Sequence, residues 1–150
     1  MQDQIDNDIK SALLAGDKTK AQTLRTVKSS LINEAIAAGA QDKSLSDEQV
    51  QKVLAKEAKK RTEAAELYRK AGAAERAEAE LAEKALIEVY LPEQLDESQI
   101  SAVVSEEISK LDSPTTADMG PVIGAARARL GTAADGAVIA RLVKEALEAK

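Results

Sequence analysis

Cysteine and histidine are both absent from this chain of 150 residues, and each absence removes a class of chemistry. Without histidine the chain lacks the commonest general base near neutral pH. Without cysteine it has no thiolate nucleophile and no disulfide framework, and the two absences together remove most transition-metal ligands. We therefore expect no catalytic residue, no metal and no cofactor.

Aromatic residues are nearly absent as well, because the chain has no Phe or Trp and only two tyrosines, Tyr68 and Tyr90. Single-stranded nucleic acids are commonly bound by stacking bases on aromatic side chains, and this sequence has no such platform. The 29 alanines favour helices, whereas strands prefer β-branched and aromatic residues. The composition therefore predicts an all-α fold.

Long apolar runs are also missing. Every stretch without a charged residue is shorter than about ten residues, and a membrane-spanning helix needs about 20 apolar residues. The first residues, MQDQIDNDIK, lack the basic segment and the apolar core of a secretory signal. Together with the lack of disulfides, this predicts a soluble, cytoplasmic protein with no membrane partner.

Excess positive charge is absent too, and the net charge is −5. Residues 1–40 carry five basic and five acidic groups, residues 41–95 carry 10 and 12, and residues 96–150 carry six and nine. A nucleic-acid-binding domain is usually basic. Any RNA contact must therefore rest on a local patch, and no binding of DNA is expected.

Apolar spacing predicts four helices in the first part of the chain. The first has Ile5, Ile9 and Leu13 inward and stops at Gly16. Asp17 is the predicted N-cap of the second helix, and Ser46 with Gln49 matches a capping box that begins a long third helix. The fourth helix follows Gly72, with Leu81, Ala85 and Val89 as its inward positions.

A second helical unit is expected after Pro92, which cannot continue a helix. Three helices are predicted there, with N-caps that include Asp96 and Asp135. The predicted organisation is an N-terminal helical domain, residues 1–92, with a long antiparallel helix hairpin, followed by a small three-helix bundle, residues 96–150. Pro92 and residues 93–94 are expected to form the joint between the two.

Carboxylate pairs at Glu80 and Glu83, and at Glu63 and Glu66, lie one helical turn apart. Such pairs resemble di-metal helix bundles, but those also need histidine, so solvated acidic faces are the favoured interpretation. An oxygen-only Mg²⁺ or Ca²⁺ contact is the alternative. A Ser-Lys dyad of Ser29 or Ser30 with Lys28 is a further, less favoured option.

Basic clusters are the best candidates for a phosphate contact. The third helix carries Lys52, Lys56 and Lys59 on one stripe with Lys60 beside it. Glutamates interleave with these lysines, so a salt-bridged exposed helix is the favoured interpretation and RNA contact is the alternative. Glu57 and Arg61 lie four residues apart near the apolar stripe and predict a partly buried bridge. Arg127, Arg129 and Arg141 make a smaller patch near the link between Gly131 and Gly136.

The second unit contains several glycines, but they do not form a phosphate loop. No strand precedes them, and no Gly-Lys-Ser/Thr motif follows. Gly120 and Gly124 are predicted to allow close approach of a neighbouring helix. Gly131 is predicted to end its helix with positive φ. Asp135 is expected to cap the last helix beside Gly136, where exposed amides are an alternative site for one phosphate oxygen.

Taken in order, several of these segments resemble the GatB/YqeY family, which comprises small YqeY-like proteins and the tail of the amidotransferase B subunit. The resemblance covers nearly the whole chain. It is carried by the segments LRTVKSSL (24–31) with Asn33-Glu34, Arg61, Glu80, Glu83, Tyr90-Leu91-Pro92, Asp118-Met119-Gly120, Gly124, Gly131, Asp135-Gly136 and Val143-Lys144.

The resemblance implies an all-α protein with a larger N-terminal helical domain and a small C-terminal bundle like the tail of the amidotransferase subunit. It implies a role as an accessory module that binds tRNA or a tRNA-modifying or aminoacylation enzyme. A glutamine-dependent carbon–nitrogen ligase activity belongs to the fused complex, and this chain lacks the kinase-like and amidase regions. The alternative is a protein-interaction or structural helical module with no affinity for RNA.

Overall fold

The computed structural model describes residues 1–149, and the chain forms only helices within that range. The prediction of an all-α fold is confirmed. Lys150, the last residue of the predicted second unit, lies outside the described residues. The α-helices of residues 1–149 are α1 (Gln2–Leu14), α2 (Lys18–Ala37), α3 (Asp47–Lys70), α4 (Ala74–Glu88), α5 (Glu97–Ser109), α6 (Met119–Leu130) and α7 (Gly136–Glu148), with short 3-10 turns at Thr116–Asp118 and Gly131–Ala133.

The chain divides into two compact units, Met1–Leu91 and Pro92–Lys150. In the first unit α3 packs extensively along α4, α1 packs on α2, and α2 contacts both α3 and α4. Its core is aliphatic apart from one tyrosine. The fully buried side chains of that core are Ile5, Leu24, Val27, Leu31, Val50, Leu54 and Ile87, with Tyr90 at its edge.

In the second unit α5, α6 and α7 each contact the other two, so the three helices enclose one small core. That core contains Ile100, Val104, Ile108, Val122, Ala126, Ile139 and Val143. Residues before α5 are part of this unit. The Leu95 amide donates to the Ala133 carbonyl oxygen at 2.8 Å, and Gln94 Nε2 donates to the Thr132 carbonyl oxygen at 2.9 Å.

Helix starts agree with the capping patterns in the sequence. Asp17 accepts a hydrogen bond from the Lys20 amide, and complete capping boxes are present at Ser46 with Gln49 and at Asp96 with Gln99. These side chains satisfy amides that the first turn of a helix leaves without partners, so α2, α3 and α5 each begin at a defined residue.

Three predicted inward positions are wrong, and the errors have the same cause. Leu13 is 47% exposed while Ala12 is buried. Ala85 is exposed and Val89 is 75% exposed, while Ile87, which lies between them in the sequence, is buried. Four residues advance an α-helix by 400°, so a strict four-residue spacing drifts about 40° per step away from the core. The buried face instead alternates steps of three and four residues.

The predicted role of Gly120 and Gly124 is also wrong. A Cβ atom added at either glycine would meet no atom within 4 Å, and both residues are exposed. The buried positions of α6 are Val122, Ala126 and Leu130, which places the two glycines on other faces of that helix. Neither glycine is therefore needed for close packing against α5 or α7.

Candidate nucleic-acid interface

The lysine row of α3, defined as Lys52, Lys56 and Lys59, lies on an exposed face of the longest helix. Residues four and three apart stand one above the other on a helix, and the rise of about 1.5 Å per residue spreads the row over about 10 Å. Lys60 is exposed beside the row. Cations presented in this way can approach a phosphate backbone without any movement of the helix.

The lysines of this face differ in how far they are already neutralised. Lys52 Nζ lies 2.7 Å from Glu48 Oε1, and this hydrogen bond lowers the pKa of Glu48. Lys60 Nζ lies 2.7 Å from Glu57 Oε1. Among the described residues, no carboxylate lies within ion-pair distance of Lys56. Lys56 is therefore the member of the face with the least compensated charge.

Glu57 lies behind the lysine row and is only 3% exposed. Its Oε1 accepts hydrogen bonds from Ser30 Oγ at 3.0 Å and from Lys60, and its Oε2 accepts one from Arg61 Nη1 at 2.9 Å. The sequence predicted the bridge to Arg61. Ser30 was missed because it lies 27 positions away on α2, and no local pattern joins the two residues.

The pKa of Glu57 is lowered although its side chain is buried. Burial acting alone would raise the pKa of this carboxyl, but hydrogen bonds from Lys60 and Ser30 and the charges of Lys60 and Arg61 outweigh it and lower the pKa. Arg61 is 12% exposed, and its Nε lies 3.4 Å from Glu83 Oε2 on α4. The cluster therefore joins α2, α3 and α4. Glu80 is half-buried on α4, one turn before Glu83.

The arginines predicted as a second patch are all engaged with acceptors in their own unit. Arg129 pairs with Glu106 and with Glu107, each at 2.7 Å, and these hydrogen bonds raise its pKa. Arg141 pairs with Glu97 and Glu145. The charges of Arg129 and Arg141 are therefore largely compensated by these carboxylates.

The start of α7 carries the remaining candidates. Asp135 Oδ1 accepts hydrogen bonds from the Ala137 amide at 2.6 Å and the Val138 amide at 3.4 Å. Arg127 Nη2 donates to the Gly136 carbonyl oxygen at 3.3 Å, and a Cβ at Gly136 would meet that guanidinium at 2.9 Å. A phosphate at this helix end would have to displace the carboxylate of Asp135. Gly131 adopts positive φ, as predicted.

Tyr90 lies near the end of the first unit, and Pro92 is the first residue of the second. Tyr90 is buried, and its hydroxyl donates to Asp8 Oδ2 on α1. Burial, followed by the hydrogen bond to the Asp8 carboxylate and its charge, raises the pKa of Tyr90. Pro92 is exposed directly after the end of α4 and a short turn. The tyrosine thus fastens the end of α4 to α1.

The other chemistry considered from the sequence finds no matching geometry. Ser29 Oγ donates to the Arg25 carbonyl oxygen, Ser30 Oγ donates to Glu57, and Lys28 Nζ pairs with Asp6 at 2.7 Å. Across residues 1–149, no group of three or more acidic side chains is placed to hold a metal ion.

Within the same residues, no helix combines the length and apolar character that crossing a membrane requires.

The sequence as a whole matches one protein family. The model of the family described as "Yqey-like protein" matches residues 2–147, which include nearly all of both units. The chain belongs to the Yqey-like family. None of the curated proteins matches this Yqey-like protein significantly.

One buried ionic group of this Yqey-like protein was not predicted. Glu107 is 7% exposed, and its Oε1 accepts hydrogen bonds from Lys110 and Arg129. A signal was present, because Glu107 lies three residues after Val104 and seven after Ile100, in the middle of an inward stripe. A charged residue at such a position predicts a partner, although Arg129 on α6 could not be named from spacing.

Proposed function

We propose that this Yqey-like protein is a non-catalytic accessory module that binds tRNA or a tRNA-modifying enzyme in the cytoplasm. The observation that carries the proposal is the lysine row of α3, which is exposed on the longest helix around an uncompensated Lys56. Family membership supports it, since the resemblance to the amidotransferase tail implies tRNA as the partner.

The architecture assumed in the proposal is a long antiparallel hairpin in the first unit and a three-helix bundle in the second. Ion pairs from Arg61 to Glu83 and from Arg69 to Glu78 support α4 running back along α3. A hairpin of this kind holds the lysine row on a stiff support, because α3 is braced by Glu57 to α2 and by Arg61 to α4.

The protein would contact the phosphate backbone of the tRNA and not its bases. Tyr90 is buried and bonded to Asp8, and Tyr68 lies beneath the guanidinium of Arg76, 5.8 Å from the ring centre. Neither tyrosine is therefore free to stack on a base in this conformation. Affinity that rests on a few lysines should be weak, near 10⁻⁵ M, and should fall as salt is raised.

Filter binding of the full chain to tRNA, repeated between about 20 and 200 mM salt, tests this proposal. The informative variant changes Lys52, Lys56 and Lys59 to Gln and leaves Lys60 in place, because Lys60 holds the buried Glu57. We expect binding to fall at least tenfold and the salt dependence to become shallower.

The matched control changes three other lysines, Lys10, Lys18 and Lys144, to Gln. All three are exposed. Lys144 forms an ion pair with Glu148, four residues after it, just as Lys52 forms one with Glu48, four residues before it. The control lowers the total charge equally and should bind like the unchanged protein. Equal losses in both variants, or no binding by the unchanged protein at low salt, would exclude the lysine row as an RNA contact.

A second candidate function is a protein-interaction module with no affinity for RNA. It is favoured by large apolar side chains left exposed, among them Leu14 at 90% and Leu67 at 66%. Purification of its partners with and without ribonuclease separates the two candidates. A partner kept after complete RNA digestion, together with no tRNA binding, favours the protein-interaction module.

A further inference from the structure

One face of α2 is exposed, polar and free of acidic residues. Residues 19–33 contain three basic residues and no acidic one, in a chain whose net charge is −5. Leu24, Val27 and Leu31 of this segment belong to the buried core. On the opposite side, exposed polar positions three and four residues apart form a row, which we call the α2 polar row: Gln22, Arg25, Thr26, Ser29 and Asn33. Packing accounts for the inward half of the segment, and the outward half is open to a partner.

Arg25, in the middle of the α2 polar row, differs from the other arginines of the protein. Its side chain is exposed, and within residues 1–149 its guanidinium forms no ion pair, hydrogen bond or cation–π contact. Each of the other six arginines contacts a carboxylate, a carbonyl oxygen or an aromatic ring; these are Arg61, Arg69, Arg76, Arg127, Arg129 and Arg141. The uncompensated guanidinium of Arg25 therefore favours an anionic partner, and its planar donors suit a phosphate.

The two hydroxyl groups of the row narrow the chemistry of that partner. Thr26 Oγ1 donates to the Gln22 carbonyl oxygen, and Ser29 Oγ donates to the Arg25 carbonyl oxygen, each at 3.1 Å. Because each hydroxyl hydrogen is used within the helix, each hydroxyl oxygen presents only lone pairs to solvent. The phosphodiester group has no hydrogen to donate to these oxygens, whereas a ribose 2′-hydroxyl has one. RNA carries both groups, so it satisfies the guanidinium and the two oxygens together.

The α2 polar row adjoins the lysine row of α3. Ser30 Oγ on α2 donates to Glu57 Oε1 at 3.0 Å, and Lys60 Nζ lies 2.7 Å from the same oxygen. Thr26 lies four residues before Ser30 and Asn33 lies three residues after it, so both flank this contact on α2. Lys60 in turn is exposed beside the lysine row. One RNA backbone can therefore extend from the lysine row to the α2 polar row within the first unit.

We propose that the α2 polar row binds the sugar–phosphate backbone of RNA, with Arg25 at a phosphate and the oxygens of Thr26 and Ser29 accepting from ribose 2′-hydroxyls. The inference rests on the proposed function, because both surfaces contact the same RNA. It goes further by assigning the preference for RNA over DNA to α2. The lysine row contacts phosphates, which RNA and DNA share, so it does not distinguish the two nucleic acids.

Filter binding of the full chain to a tRNA transcript, and to a DNA strand of the same sequence, tests the inference. We expect the unchanged protein to prefer the RNA about three- to tenfold at about 50 mM salt. The double variant Thr26→Val, Ser29→Ala should lose that preference by binding RNA about three- to tenfold more weakly and DNA as before. Arg25→Gln should weaken the binding of both nucleic acids about threefold, since each loses one phosphate contact.

Ser109→Ala in the second unit is the matched control. Ser109 is exposed, and its Oγ also donates to a carbonyl oxygen of its own helix, that of Glu106, at 2.7 Å. This variant should bind RNA like the unchanged protein. Hydroxyl groups bonded back to their own helix do not stabilise it, so every variant should keep its full helical circular dichroism.

The outcomes separate this inference from the proposed function. Loss of RNA binding in the lysine-row variant, with none in the α2 variants, would overturn the inference and leave the proposed function standing. Loss in the α2 variants alone would support the α2 polar row and remove the lysine row. Equal binding of RNA and DNA by the unchanged protein would overturn the assignment of selectivity to α2, and binding of neither would overturn both proposals.

Discussion

Each unit of the protein buries one glutamate, and the two glutamates are held in different ways. Glu57 of the first unit shares its two oxygens among Ser30, Lys60 and Arg61, and Arg61 is itself 12% exposed. Glu107 of the second unit receives both of its cations on one oxygen, and the larger of them, Arg129, is 41% exposed.

The difference lies in what remains when the carboxylate is removed. Without Glu57, the guanidinium of Arg61 stays in the interior with Glu83 at 3.4 Å as its remaining ion-pair partner, and its Nε makes no hydrogen bond. Without Glu107, Arg129 keeps Glu106 and Lys110 turns to solvent. The exposure of the cation, and not that of the acid, therefore decides how strongly each unit depends on its buried glutamate.

The largest expected effect is that of Glu57→Ala. We expect a loss of about 3 kcal/mol in the free energy of unfolding, because the buried guanidinium of Arg61 loses its nearer carboxylate and keeps only the contact with Glu83 at 3.4 Å. Glu107→Ala should cause a clearly smaller loss. Urea unfolding of each variant, followed by helical circular dichroism at pH 7, measures both.

The exposed Glu66→Ala on the same helix is the control for Glu57→Ala, and it should change the free energy of unfolding by less than about 0.5 kcal/mol. Equal losses for Glu57→Ala and Glu107→Ala would contradict the comparison. In that case the buried acid, and not the exposure of its cation, would control stability.

A smaller loss of stability is expected when the hydrogen bonds of a single side chain are removed near the end of the first unit or near the start of the second. Tyr90→Phe removes the hydrogen bond to Asp8 and should cost about 1–2 kcal/mol, since the acceptor is a carboxylate and the ring is buried. Its counterpart, Gln94→Ala, removes exposed hydrogen bonds to Pro92 and Thr132 and should cost about 0.5 kcal/mol. A greater loss for Gln94→Ala would reverse this ranking, and the same urea experiment decides it.

Local patterns in the sequence predicted what depends on near neighbours. The caps at Asp17, Ser46, Asp96 and Asp135 and the bridge from Glu57 to Arg61 all join residues at most four positions apart. Patterns of this kind act through one helical turn, so reading the sequence in order is enough to find them.

Contacts between helices could not be predicted in the same way. The acceptor of the Tyr90 hydroxyl lies 82 positions away, and the acid paired with Lys28 lies on another helix. Spacing can show that Glu107 is at an inward position but cannot say which helix supplies its partner. The choice of helix face was also wrong at Leu13, Ala85 and Val89, because a four-residue spacing drifts around the helix.

The smallest expected effect is a change in the acid dependence of stability. The pKa of Glu57 and that of Glu107 are both lowered in the folded protein. Each carboxylate therefore stabilises the fold fully above its unfolded pKa of about 4.3, and that contribution is lost as the pH falls through the folded pKa.

Urea midpoints at pH 7, 4.5 and 3.5 test this expectation. Glu57→Gln and Glu107→Gln start from lower stability, but each should lose less than the unchanged protein as the pH falls below about 4.3. If the three proteins showed parallel losses, neither carboxylate would be a source of the acid dependence.

Both tyrosines of the chain, Tyr68 and Tyr90, belong to the first unit, and the chain has no tryptophan or phenylalanine. Near-ultraviolet signals therefore come from the first unit alone, while the second unit is silent at those wavelengths. A tyrosine emission curve that lags or precedes the backbone signal during unfolding would show that the two units unfold separately, without any label. Conversely, a single tryptophan placed in the second unit would give that unit a signal of its own.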